Sequence, residues 1–82
     1  MYKILITKRA LKDLEKFDTN TKIRIGEKLK SLTSDPFSNS KKLSSSLIGT
    51  YRFRIGDYRV IFDIDEDKVV ILRIGHRKDI YK

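Results

Sequence analysis

The sequence predicts an α+β fold in the order β-α-α-β-β-β, an antiparallel sheet with an αα-hairpin packed on one face. Three features of the 82 residues predict it. A short β-branched run opens the chain, two neighbouring stretches repeat apolar residues at helical spacing, and two alternating segments flank a tight-turn pair.

Tyr2 to Thr7 is apolar-rich and partly β-branched, and reads as the first strand. Thr7 can cap a helix, because its hydroxyl takes an orphan backbone N–H. Ala10, Leu11, Leu14 and Phe17 then recur at helical spacing, with Lys8, Lys12, Asp13, Glu15 and Lys16 on the other side; the spacing predicts a helix of about ten residues. Asp18 to Asn20 breaks it and caps a second helix from Thr19 to Leu32, buried through Ile25, Leu29 and Leu32. Ile23 lies off that stripe, and Gly26 is placed to allow close approach to the first helix. Pro36 ends the pair. Residues 36–49 read as a polar connection, anchored by Phe37 and flexible at Ser44, Ser45 and Ser46. No repeat or second core appears, so residues 1–82 are expected to form one domain.

The last third is strand-rich. In Tyr51-Arg52-Phe53-Arg54-Ile55 apolar residues alternate with arginines, and from Tyr58 to Ile64 the even positions are apolar. Gly56-Asp57 between them has the length and chemistry of a two-residue hairpin turn. The implied register pairs Ile55 with Tyr58, Phe53 with Val60 and Tyr51 with Phe62 on one face, and Arg54 with Arg59 and Arg52 with Ile61 on the other. A third strand, Lys68 to Ile74, comes after Asp65-Glu66-Asp67. With Val70, Leu72 and Ile74 on the core side, Arg73 joins Arg52, Arg54 and Arg59 on the far face.

Composition narrows the chemistry. There is no cysteine and one histidine, so disulfides, cysteine-ligated zinc and histidine-rich metal sites are excluded. The N-terminal apolar run is only Ile4-Leu5-Ile6, far short of a membrane span. A cytoplasmic protein without cofactor or membrane attachment is the expectation. The formal charge is +8, with 11 basic and 5 acidic side chains in residues 1–50 and 8 and 6 in residues 51–82. Such a surplus attracts polyanions without locating a site.

The arginine face does locate one. Like charges opposed across a strand pair cost roughly a few tenths to 1 kcal/mol per pair, so Arg54 opposite Arg59 favours a bound anion. His76, Arg77 and Tyr81 come directly after the last strand. His76 is the only side chain whose ordinary pKa suits proton transfer near neutrality, and Tyr81 can stack on a base. The set suits metal-free RNA cleavage, in which the 2′-OH attacks the adjacent phosphate. Arg52, Arg54, Arg59, Arg73 and Arg77 would steady the phosphorane charge and His76 would protonate the leaving oxygen. An arginine does not readily accept the 2′-OH proton. Tyr81 or water takes it, or catalysis rests on electrostatics and in-line positioning.

Over nearly its whole length the chain resembles the RelE/ParE superfamily of toxins from type II toxin–antitoxin pairs. The resemblance runs through Lys8-Arg9-Ala10-Leu11-Lys12-Asp13-Leu14, Asp35-Pro36, Lys42-Leu43, the block from Tyr51 to Phe62, and Gly75-His76-Arg77-Lys78-Asp79-Ile80-Tyr81. It implies a ribosome-dependent endoribonuclease that cuts mRNA in the A site and is held inactive by an antitoxin. On that basis Arg59, His76, Arg77 and Tyr81 are the catalytic positions, and Arg52, Arg54 and Arg73 bind substrate. Some relatives carry lysines where Arg52 and Arg54 stand, and others a glutamate where this chain reads Ser46-Leu47-Ile48-Gly49. ParE-like members of the superfamily bind and inhibit DNA gyrase and generally lack the full arginine–histidine–tyrosine set. A non-catalytic RNA- or ribosome-binding module is the third reading. An acidic, partly disordered antitoxin would wrap the domain and neutralise its field, and Lys12, Lys16, Lys22 and Lys28 are expected to serve ribosome or antitoxin binding.

Overall fold

The computed structural model describes residues 1–38, 40–43 and 49–80. In chain order it forms β1 (Lys3–Ile6), α1 (Lys8–Glu15), α2 (Thr19–Ser34), β2 (Ser40–Lys42), β3 (Tyr51–Ile55), β4 (Tyr58–Asp65) and β5 (Lys68–His76). The expected loop at Ser44, Ser45 and Ser46 lies outside the described residues.

Both helices start at the expected caps. The Thr7 hydroxyl accepts from the Ala10 amide at 3.2 Å, and an Asp18 carboxylate oxygen accepts from the Thr21 amide at 2.8 Å. Hydrogen bonding from the Thr21 side chain, and then from its amide, holds the Asp18 carboxyl below its ordinary pKa. The second cap therefore contributes its full stability above the ordinary carboxylate pKa and loses it as pH falls through the lowered one. Ile25, Leu29 and Leu32 of α2 are buried as the spacing requires, and Ile23 is exposed.

On α1 the expected stripe is corrected. Leu11 is 48% exposed, whereas Asp13 is buried. Asp13 lies three residues after Ala10 and four before Phe17, which puts it on the apolar face. Gly26 also departs from expectation: it is exposed, and a Cβ there would meet nothing within 4 Å. Gly26→Ala should therefore stabilise the protein by about 0.5–1 kcal/mol, read as a rise in the urea midpoint at constant m-value.

The sheet has the order β1-β5-β4-β3-β2. The β3–β4 hairpin has the expected register throughout, from Ile55–Tyr58 to Tyr51–Phe62, with Gly56 at φ +59° in its turn. Two features differ from the expected four-stranded antiparallel sheet. β1 runs parallel to β5, and part of the connection, Ser-Lys-Lys, pairs with β3 as an edge strand. A three-residue polar strand has no alternation to read. The anchor Phe37 is 46% exposed but meets Tyr2 and Tyr51 edge-on at 6.3 and 5.5 Å.

The two helices and one sheet face share a core of Ala10, Ile25, Leu29 and Leu32 with Phe53, Ile55, Val60 and Phe62. β5 adds Val69, Ile71 and Ile74, not Val70, Leu72 and Ile74. Ile61 pairs with Arg73 but Phe62 with Ile71, so β5 carries an extra residue at Leu72. This bulge reverses the alternation, putting Val69 and Ile71 inward before it and Ile74 inward after it. On the far face, a Cβ at Gly49 would run into Ile61 and touch Leu72, and the Asp63 carboxylate accepts from the Thr50 amide at 2.7 Å. The connection therefore covers the centre of that face, and Ile61 is fully buried.

Candidate functional site

The cationic residues gather around the end of the sheet formed by the β3–β4 turn and the last residues of β5. Pairing places Arg54 opposite Arg59, Arg59 opposite Gly75, and Tyr58 opposite His76. Arg59 is only 8% exposed. Its Nη1 donates to the carbonyls of Gly56 and Tyr58, both at 2.9 Å, which curls the guanidinium over the turn. The Arg77 amide donates to the Asp57 carbonyl at 2.8 Å, and its Nε lies 3.9 Å from the Asp57 carboxylate. Arg24 reaches the same turn from α2: a Cβ at Gly56 would lie 2.5 Å from its Nη2. Three guanidiniums thus meet the two-residue turn. Glycine is needed there for the positive φ and for the approach of Arg24.

Not every expected residue joins one open face. Because His76 pairs with Tyr58, register puts it on the helix side of the sheet, opposite to Arg59. Its ring meets Tyr58 edge-on at 5.6 Å, and Tyr58 in turn meets Phe17 at 5.1 Å. The Lys78 amide donates to His76 Nδ1 at 3.1 Å. A neutral ring so held carries its proton on Nε2, which is the nitrogen left for a ligand. Arg73 keeps its register on the far face, but its Nε donates to Asp13 Oδ2 at 2.8 Å. Arg54 is exposed, and Arg52 is half-buried with a buried Nε that has no hydrogen-bond acceptor among the described residues. Tyr81 lies outside the described residues.

Two concavities flank this end. One of about 280 Å³ lies between α1 and the end of β5, lined by Asp13, Lys16, Phe17, Arg73, His76 and Ile80, among others. The other, about 480 Å³, lies between α2 and β3 and is lined by Arg24, Lys28, Ser31, Arg54 and Gly56, among others, with no acid among the described residues of its wall. Guanidiniums and an ammonium on such walls suit phosphate or carboxylate groups, not cations. Sequence reasoning misses Asp13 and Arg24. Asp13 has a readable signal in its spacing from Ala10 and Phe17, whereas Arg24 has none, since only the packing of α2 beside the hairpin brings it to the turn.

Comparison with known proteins places the chain among toxins. The family model described as ParE toxin of type II toxin-antitoxin system, parDE, matches residues 4–81. The chain is 36% identical to Toxin RelG of Mycobacterium tuberculosis, covering 99% of this chain and 97% of that one. It is 30% identical to Toxin RelE3 of Methanocaldococcus jannaschii, covering 96% and 94%. The toxin–antitoxin complex RelBE2 from Mycobacterium tuberculosis contains a chain that superposes with a TM-score of 0.84 at 34% identity, over 93% of this chain and 98% of that one. The archaeal RelE–RelB complex from Pyrococcus horikoshii gives 0.78 at 27% identity, over 95% and 97%.

Proposed function

The chain belongs to the RelE/ParE superfamily of type II toxins, and from that premise we propose that it is a ribosome-dependent mRNA endoribonuclease, cutting in the A site by metal-free attack of the RNA's own 2′-OH. The observation that carries this reading is the convergence of Arg59 and Arg77 on the Gly56–Asp57 turn, with Arg54 opposite Arg59 and His76 at the same end of the sheet on its other face. The Arg59 guanidinium, held by two backbone carbonyls, is preorganised for charge that develops on a phosphorane, and the Arg77 backbone is fixed to the same turn.

In the proposed step the 2′ oxygen bonds to phosphorus and the bond from phosphorus to the 5′ oxygen breaks. The products are a 2′,3′-cyclic phosphate and a 5′-hydroxyl. Arg59 and Arg77 take the non-bridging oxygens, and Arg52, Arg54 and Arg73 hold the flanking backbone. His76 acts through Nε2, as a hydrogen-bond donor to the phosphate or, once protonated, as the acid for the leaving 5′ oxygen; the second role requires the Lys78 amide to release Nδ1. The 2′-OH proton goes to water, or to the Tyr81 oxygen when that phenol is ionised. We place the reaction in the cytoplasm, on ribosomes carrying mRNA, with an acidic antitoxin as the inhibitory partner. The solved relatives RelBE2 and RelE–RelB are themselves toxin–antitoxin complexes.

The ParE description of the matching family model favours one second reading, inhibition of DNA gyrase by binding. Both readings are tested together by incubating the purified protein with mRNA-programmed ribosomes and, separately, with gyrase and relaxed plasmid. Cleavage within the A-site codon and undisturbed supercoiling are expected. Blocked supercoiling without cleavage would replace the nuclease reading with the gyrase one.

A further inference from the structure

We infer that Asp13 is a positioning residue, which fixes the end of β5 to α1 and thereby sets where His76 and Arg77 stand. The inference rests on the nuclease reading for its effect on rate, but not for its structural half. Asp13 and Arg59 are the only charged side chains buried among the described residues, and Asp13 alone of the two is acidic. One carboxylate oxygen accepts two bonds, from Arg73 Nε at 2.8 Å and from the Ile74 amide at 3.0 Å. The second bond has a topological reason. β1 pairs with β5 only as far as Ile71, and the chain then turns into α1. Beyond that point the edge of β5 has lost its strand partner, and Asp13 supplies an acceptor where β1 no longer does.

The residues after Ile74 lead straight into the candidate site. Gly75 lets the C-terminal turn fold back, since a Cβ there would lie 3.3 Å from the buried Ile80 side chain. The Asp79 and Ile80 amides both donate to the His76 carbonyl, at 2.9 and 3.0 Å, and the Arg77 amide reaches Asp57. His76 and Arg77 are thus held from one side by the hairpin turn and from the other by the Asp13 clamp two residues upstream. Asp13 and His76 also line the same cavity without a hydrogen bond between them. The bulge at Leu72 delivers Arg73 and Ile74 to the clamp in succession, one by side chain and one by backbone. Arg73 therefore also ties α1 to β5 through its Nε, beside the substrate contact proposed for it.

The test compares wild type, Asp13→Asn, Asp13→Ala, Arg73→Gln and the Asp13→Asn/Arg73→Gln double variant. Val69→Ala, at the far end of β5, serves as a control for lost stability. Two readouts are taken on each: amide hydrogen exchange of the intact chain, and single-turnover cleavage across a titration of programmed ribosomes. Asp13→Ala should speed exchange at Ile74, Arg77 and Ile80 by about tenfold or more, while core amides such as Val60 change only with global stability. Its maximal cleavage rate should fall by about tenfold to 100-fold with the half-saturating ribosome concentration nearly unchanged, because a displaced reacting group costs rate before it costs binding. Asp13→Asn should fall less, keeping an acceptor for Ile74, and the double variant should be no worse than the sum of its parts. Val69→Ala should lower Tm without this split. Rapid cleavage by Asp13→Ala despite deprotected amides would overturn the positioning role, as would unchanged exchange at Ile74 and Arg77. If wild type itself cuts no RNA, the nuclease reading falls, and exchange alone still decides whether Asp13 anchors the end of β5.

Discussion

Arg59→Ala is expected to lower single-turnover cleavage by about 10² to 10³, the usual cost of removing a preorganised donor from a developing oxyanion. It should also destabilise the fold, because two turn carbonyls lose a charged donor at 2.9 Å. Relief of the opposed charge at Arg54 offsets part of that loss, so a net cost of about 1–2 kcal/mol is expected. Arg59→Lys keeps the charge but not the planar guanidinium whose Nη1 meets the carbonyls of both Gly56 and Tyr58, and should recover only a small part of the rate. Rates at saturating ribosome, read beside Tm, separate the two effects. Cleavage by Arg59→Ala within threefold of wild type would remove Arg59 from the chemistry and leave it a structural role at the turn.

Phe62→Ala should produce the largest loss of stability. Phe62 is fully buried at the centre of β4, stacked on Tyr51 with centroids 5.4 Å apart and planes at 19°. Truncating it costs about 3–5 kcal/mol, counting lost transfer and the cavity left behind. A chain of this length has roughly 4–12 kcal/mol in total, so the variant should lose about a quarter of its stability or more. Phe62→Leu should lose markedly less. An antitoxin that binds only the folded toxin would restore the variant by mass action. The check is urea denaturation of each variant, alone and with antitoxin. A loss below 1 kcal/mol would show that the layer between α2 and the sheet is not packed around Phe62.

Much of this is legible in the sequence because the hairpin carries its own instructions. The alternation from Tyr51 to Ile64 and the Gly56–Asp57 turn fix the register, and with it the opposition of Arg54 and Arg59. Caps at Thr7 and Asp18 and the stripe at Ile25, Leu29 and Leu32 are local signals of the same kind. The unreadable features depend on distant parts of the chain. The parallel pairing of β1 with β5 joins residues some 65 apart, and nothing in Lys3–Ile6 states its partner. The bulge at Leu72 hides in an apolar run, Val69 to Leu72, in which either parity looks buried. That parity decides whether β5 presents Leu72 or Ile71 to the helices. Asp13 looks like one more charge on a charged helix, although its spacing from Ala10 and Phe17 puts it inward. The arginine face is correspondingly less open than alternation suggests. Arg59 folds over the turn, Arg73 is held by Asp13, and the connection covers Ile61.

The proposed cleavage runs through the substrate's own 2′-OH, with Arg59 and Arg77 stabilising the phosphorane. The most direct measurement is end-group analysis of an mRNA cut on programmed ribosomes, beside the same mRNA carrying a single 2′-deoxynucleotide at the cleaved position. A 2′,3′-cyclic phosphate on the upstream fragment, a 5′-hydroxyl on the downstream one, and no cut at the deoxy position are expected. A 3′-hydroxyl with a 5′-phosphate, or undiminished cleavage at the deoxynucleotide, would contradict it.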